Sequence, residues 1–371
     1  MSDTFDIVVI GAGIAGASIA AELAPHARVL LAEAEDFPGY HTTGRSAAFW
    51  EECYGGPQIA PLTLASGEYL RDLGFLAPRG ALYLAREGSE ERVDAFISSF
   101  RGSGVTIERI GRDRMEEIVP GLQPGWTQAI SEPACADIEV AGLHQHYLSM
   151  AARQGCKLRV RHRLQAIERD GDGWRLDFGQ AGPVRAGIIV NAAGAWADEL
   201  PQMAGVRGLG VQPYRRTVLQ LRCTPAPPND LPLVLDLDGK FYFKPDGNRL
   251  WLSPHDETPS EPCDAAPEEL DVALAIDRMQ GVVGWHVEAV ERKWAGLRSF
   301  APDRLPVYGF DPRLPGFFWF AGQGGFGIQT APAAARLAAQ LLLGQPRDAM
   351  TRDLDAARYA PDRLLHADMG Q

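Results

Sequence analysis

The chain of 371 residues is 46% hydrophobic and 23% charged, with a formal net charge of −12. Its length suits two substructures around a large core. Its acidity argues against nucleic acid as a partner, because phosphates require a basic surface, and no apolar run reaches the ~20 residues of a membrane helix.

In chain order, residues 6–10 (DIVVI) are a β-branched run that predicts a buried parallel strand. Gly11, Gly13 and Gly16 follow as G-x-G-x-x-G, with helical spacing from Ile14 and Ala15 onward, and a second apolar run, 28–32, ends at Glu33. Gly11 allows a tight turn, Gly13 lets the backbone approach a pyrophosphate, and Gly16 lets the helix pack on the strand. Glu33 stands where a ribose hydroxyl needs an acceptor. The parts together are a strong dinucleotide-binding signal.

Residues 34–55 begin as a loop, and 46–48 predict a helix start that faces an anion, with Arg45 beside it. Arg45 as a solvated surface side chain stays open. Helices are expected at 90–100, 113–119 and 138–154, the last with Leu143, Tyr147, Leu148 and Ala151 on one face. Strands are expected at 80–86 and 105–111. Residues 156–178 read as a hairpin about Gly171-Asp172-Gly173. A buried strand at 184–193 ends in small residues. Strands follow at 214–222 and 240–252, the latter folded about Asp246-Gly247, then a helix at 270–279, a strand at 287–299, and a last buried strand, 317–321 (FFWFA). That strand runs into GQGGFGIQT and a helix ending near Leu343, repeating the opening architecture. One ligand-binding core built from both termini is the expectation.

Nothing in the start MSDTFD resembles a signal peptide. The five cysteines are scattered, without a C-x-x-C, and read as reduced thiols. The expected location is the cytoplasm, with at most loose membrane association and no transmembrane segment. No metal site is expected: His144 and His146 stand two apart on a helix and face different ways.

Seven segments in order, VIGAGIAGAS, GYHTTGRSAA, VNAAGAW, LGVQPYRR, FYFKPD, WAGLRSF and GQGGFGIQT, span almost the whole chain. Through them the chain resembles the FAD-dependent D-amino acid oxidase and dehydrogenase superfamily, above all its bacterial D-arginine dehydrogenase type, with glycine oxidase and sarcosine oxidase more distant. The resemblance implies an α/β fold: a Rossmann-like FAD-binding domain built from both termini (1–80, 140–207 and 299–371), plus an α+β substrate domain with a mixed or antiparallel sheet (81–139 and 208–298). It implies FAD held by Gly11, Gly13, Ile14, Ala15, Gly16, Glu33, Thr43, Gly44, Arg45, Ser46, Ala47, Leu164, Ala193, Gly194 and Trp196. On the C-terminal side it implies Arg298, Gly324, Gly325, Phe326, Gly327, Ile328, Gln329 and Thr330. A helix opening near Ile328 would aim its N–H groups at the negative charge that develops on reduction.

On the substrate side the resemblance implies that Arg216 and Arg298 hold a carboxylate and that Tyr54 and Tyr242 hydrogen-bond it. Arginine's planar fork suits that task. Arg298 as a structural ion-pair residue and Tyr242 as a core aromatic stay open. The chain departs from the arginine-specific pattern at Phe49, where that type has histidine, and at Ala81, where it has glutamate. With Trp50, these imply an apolar side-chain pocket, also bounded by Gly325, although Glu51 could face a cation. Trp251 takes the place of a lysine that promotes reaction with oxygen in sarcosine oxidase-like members. No cysteine follows GLRSF, so FAD is expected to be non-covalent.

The function implied is oxidation of a D-amino acid by hydride transfer to flavin N5, the imine then hydrolysing to a 2-oxo acid and ammonia. A quinone or other carrier, rather than oxygen, is the expected acceptor. The alternatives are an oxidase of glycine, sarcosine or another secondary amine, a non-catalytic FAD-binding assembly protein, and a 2-hydroxy acid dehydrogenase.

Overall fold

The computed structural model describes residues 3–47 and 49–365. Its opening strand, Asp3–Ile10, lies between two parallel neighbours, Pro183–Asn191 and Val29–Ala32. Val9 stands opposite Val190 on one side and Leu31 on the other. A central strand covered on both faces needs apolar side chains in succession, and residues 7–10 are all buried.

This first sheet has eight strands. Within it Pro183–Asn191 has two different neighbours on one edge. Its first half pairs antiparallel with Gly173–Asp177 and its second half pairs parallel with Phe317–Ala321. The sequence shows the change: burial alternates through PVRA, then becomes continuous through the last three residues. Phe317–Ala321 is buried at every position. Helices Ile14–Leu23, Val140–Arg153 and Ala331–Leu343 cover one face. The alanines of the first and last, among them Ala17, Ala20, Ala334 and Ala338, are buried where these helices meet. A left-handed Gly344 (φ +63°) ends the last helix, its N–H returning to Gln340 O.

The second sheet has nine strands and is mixed, mostly antiparallel. Its longest pair, Gln212–Thr224 against His286–Phe300, places Tyr214 opposite Arg298 and Arg216 opposite Gly296. Side chains alternate across a sheet, so Arg216 and Arg298 share one face on a diagonal. Phe49–Trp50, Leu76–Pro78 and Ala136–Ile138 form a small third sheet.

Three expectations are corrected. The 156–178 run is not one hairpin: Lys157–Arg159 joins the far edge of the first sheet beside Val29–Ala32, and only Ala166–Asp170 and Gly173–Asp177 pair about the turn. No helix opens at Ser46; Thr43–Arg45 makes a single 3-10 turn and Ser46 is extended (ψ 140°), while Ala48 lies outside the described residues. The last helix begins at Ala331 rather than near Ile328. The helix Ala60–Asp72 had no counterpart in the sequence reading.

Candidate active site

The glycine-rich turn after the opening strand forms one wall of a long cleft of about 1570 Å³, counted out to its open mouth. Gly11 sits at φ +97°, and a Cβ there would lie 2.6 Å from Ala192 O. Only glycine meets both demands. At Gly16 a Cβ would lie 1.7 Å from Gly11 O, so turn and helix fit by the absence of a side chain. Thr43 Oγ1 accepts the Ile14 N–H at 2.9 Å and ties the 43–45 turn to the helix start. Glu33 accepts the N–H of Ala12 at 2.8 Å and of Glu35 at 3.0 Å, which fixes its carboxylate at the end of the second strand. His144 Nε2 meets Ala12 O at 2.9 Å, and burial pulls its imidazole pKa down. A neutral ring donating to that carbonyl fits both facts.

Of the residues expected around FAD, Gly11, Gly13, Ile14, Ala15, Glu33, Thr43, Arg45, Ser46, Ala47, Leu164, Ala193, Gly194 and Trp196 line the cleft. So do Arg298, Gly324, Gly325, Gly327 and Ile328. Gly16, Gly44, Phe326, Gln329 and Thr330 stand behind it. Gly44 N–H donates to Gly39 O, Thr330 Oγ1 to Phe326 O, and Gln329 is a buried tie between segments. Arg45 is neither solvated nor free: its Nη1 reaches Ala265 O and Ala295 O, both at 3.1 Å, and Nη2 pairs with Asp264. The sequence reading missed His41, whose ring lies 4.7 Å from that of Trp196 and tilted to it by 52°, and Gln323. His41 Nδ1, Gln323 Nε2 and Arg216 Nη1 are buried on this wall without a hydrogen-bond partner. Buried polar atoms of that kind call for a ligand.

A second cavity, about 750 Å³, shares Ser46, Ala47, Arg298 and Gly325 with the cleft. Tyr54, Tyr242 and Phe49 line it, and Arg298 Nη1 donates to Tyr54 OH at 2.8 Å. A Cβ on Gly325 would fall 1.9 Å from Tyr54 OH and 3.0 Å from Arg298 Nη1. The Tyr242 hydroxyl is buried without a partner.

Arg216 is 3% exposed, with Nε on Asp256 O at 2.7 Å and Nη2 on Glu257 Oε1 at 3.0 Å. Burial first, then the charge of Arg298, pull its pKa down to about 10. A guanidinium keeps its proton regardless. Burial is the larger cause, and the neighbouring Arg298 cation adds to it, so an anion between the two guanidiniums would offset the second effect.

Trp50, Ala81 and Trp251 stand outside both walls. Trp50 is buried, its Nε1 on Thr63 O at 3.2 Å and Arg71 over its ring. Ala81 packs in a cluster with Tyr83 and Leu235. Tyr83, two residues on, supplies the wall instead. Trp251 faces Lys244 across the strand pair, and Lys244 Nζ lies 5.1 Å from its ring centre and 4.8 Å from that of Phe49. That lysine is bound to Asp137 at 2.7 Å. The pocket also contains Glu51, Asp236 and His255, so its wall is more polar than expected.

All five cysteines are free thiols. Among the described residues no group of three or more His, Cys, Asp or Glu could hold a metal, and no helix is long and apolar enough to cross a membrane.

Glycine oxidase of Pseudomonas aeruginosa is 26% identical over 388 residues, covering 96% of this chain and 98% of that protein. The structure of glycine oxidase from Geobacillus kaustophilus superposes with a TM-score of 0.83 at 25% identity, covering 97% of this chain and 98% of that one. L-proline dehydrogenase from P. horikoshii gives 0.85 at 22% identity with 99% of both chains covered, a likeness of fold. The family model DAO, described as FAD dependent oxidoreductase, matches residues 6–341. The glycine cradle and the orphaned polar atoms of the cleft fit that cofactor, and the chain belongs to the DAO family of FAD-dependent oxidoreductases.

Proposed function

We propose that the protein is a D-amino acid dehydrogenase of the D-arginine dehydrogenase type, with non-covalently held FAD and a preference for apolar side chains. The observation that carries the reading is Arg298, which lines both cavities, with Arg216 on the cleft side and the orphaned Tyr242 hydroxyl on the pocket side. A carboxylate there gains charge-assisted bonds and relieves like-charge repulsion. Arg298 and Tyr54 act as the anchor, Tyr242 supplies a further donor, and Gly325 leaves the space beside them. Phe49, Leu235, Leu237 and Phe241 take the side chain. When bound, FAD supplies the acceptor for the hydrogen and electrons leaving the α-carbon. The protein's part is to hold that carbon in place, and the imine hydrolyses in water to a 2-oxo acid and ammonia. We assign residues 1–80, 140–207 and 299–371 to the FAD-binding domain and the remainder to the substrate domain. We place the protein in the cytoplasm.

An anaerobic screen of D- and L-amino acids, N-methyl amino acids and 2-hydroxy acids for flavin bleaching tests this. Apolar D-amino acids should bleach the flavin, with slow reoxidation in air and fast reoxidation by a quinone or dye. Bleaching by 2-hydroxy acids alone, or by none of them, defeats the reading. An oxidase of glycine or sarcosine is the second reading, favoured by Lys244 beside Trp251. Stoichiometric peroxide in air would select it.

A further inference from the structure

The second cavity holds ionisable groups that the proposed function does not use, Glu51, Asp236 and His255 among them. Glu51 is 3% exposed and lines the same wall as Tyr54 and Arg298. Its backbone is clamped by one side chain: Gln329 Oε1 accepts its N–H at 3.2 Å, and Gln329 Nε2 donates to its carbonyl at 3.1 Å. The Tyr83 hydroxyl donates to its carboxyl. Among the described residues no Lys, Arg or His forms an ion pair with it, and Arg298, which acts on it electrostatically, has given Nη1 to Tyr54. A buried carboxyl facing a ligand cavity with no cation of its own is costly unless the ligand supplies the charge.

We propose that Glu51 receives the substrate's amino group, pairing with the ammonium and taking its proton so that a neutral amine remains. The inference rests on the amino acid reading above. An amino acid enters as a zwitterion, and the wall presents opposite charges to suit it: Arg298 for the carboxylate, Glu51 for the ammonium. Phe49, Leu235 and Phe241 supply an apolar part of the wall for the side chain.

The groups facing Glu51 set its behaviour. Glu132, fully buried, accepts the N–H of Glu52 at 2.6 Å and of Cys53 at 3.4 Å, so it is the better placed of the two acids to carry charge. Burial and then that charge push the Glu51 pKa well up, with Arg298 opposing. Cys53 and Cys135 stay neutral there, because burial pushes both thiols up. An arriving ammonium supplies the missing cation, and Glu51 ionises by releasing its proton to water. In the next step R–NH3+ and the Glu51 carboxylate give R–NH2 and the Glu51 carboxylic acid. The N–H bond breaks, an O–H bond forms, and the electron pair stays on nitrogen.

Two probes that lack an α-hydrogen, and so cannot be oxidised, read the pairing directly. They are 2-aminoisobutyrate and pivalate, which differ by an amino group in place of a methyl. Calorimetry on the FAD-loaded enzyme, in two buffers of different ionisation enthalpy, should show 2-aminoisobutyrate binding at least ~10-fold tighter, with proton release. Glu51→Gln, which keeps the shape and the Tyr83 bond, should lose both the preference and the proton release, and should move the pH profile of flavin reduction by D-alanine toward the ammonium's own alkaline range. Glu51→Asp should keep part of each effect and serves if the glutamine variant does not fold. The same preference in wild type and variant, or no binding of 2-aminoisobutyrate, overturns the assignment. If D-amino acids reduce the wild-type flavin but the variant's pH profile is unmoved, Glu51 alone is wrong. If they reduce neither, the amino acid reading falls with it.

Discussion

A methyl group added at Gly325 would reach the Tyr54 hydroxyl at 1.9 Å and Arg298 Nη1 at 3.0 Å, both atoms of the proposed anchor. Those three residues, far apart in sequence, act as one fitting. Arg298→Ala removes a charge-assisted bond worth roughly 1.5–3 kcal/mol and leaves the carboxylate less well paired. kcat/KM for the best substrate should fall at least ~10-fold, at about 1.4 kcal/mol per decade. FAD content and Tm should stay near wild type, and lysine at 298 should restore only part of the rate, being a point charge without the fork. Lost flavin with normal turnover in what remains would instead make Arg298 a structural residue. That the arginines and tyrosines line the cavities could be read from the sequence because their motifs are distinctive. The side-chain wall could not. Ala81 was picked, but the same face of that strand carries Tyr83 two residues on, and nothing local says which of the two reaches the cavity. Lys244 was hidden for a related reason: only cross-strand register brings it to Trp251.

At the scale of elements, the opening turn and helix are joined where Gly16 meets Gly11 O. Gly16→Ala forces backbone apart in a packed region, an overpacking cost of about 1–3 kcal/mol. The variant should purify with markedly less FAD and a lower Tm, as absorbance and a thermal scan would show; full flavin occupancy would contradict the cradle. This motif was legible because every part of it is local. The helix Ala60–Asp72 was not: its sequence holds Thr63, Ser66 and Gly67, and a mid-helix glycine costs about 1 kcal/mol. The structure supplies the reason for that glycine, since a Cβ there would lie 2.6 Å from the Trp50 ring. Lys157–Arg159 was misread because its partner is Val29–Ala32, and a parallel edge leaves no local turn signal.

For the whole molecule, the buried acids make stability depend on pH. Burial is the main cause of Glu132's rise from 4.5 to about 7, and burial also raises Glu51. A folded-state pKa above the unfolded one means the native state binds more protons in between, so stability is present below about 4.5 and is lost as pH rises toward 7. Tm should therefore decline between pH 5 and 7, and Glu132→Gln should flatten that slope. An unchanged slope would place the proton elsewhere. The two-sheet plan itself was largely visible in the order of the motifs. The division of labour along Pro183–Asn191 was not, because one strand there serves two neighbours.

That shared strand has a consequence for how the protein is made. The outer edge of its second half cannot be paired until Phe317–Ala321 has emerged from the ribosome, more than a hundred residues later. The Gly324–Ile328 wall of the cleft follows that strand. Chains still in synthesis thus carry the opening glycine turn without the opposite side of its cleft. Loop closure over such a separation is slow and exposes unpaired edge backbone in the interval. Cofactor capture is therefore expected to await that strand. Stalled nascent chains ending before residue 317 should retain no FAD on sedimentation, whereas released full-length chains should; flavin on the stalled chains would show that the N-terminal half binds it alone.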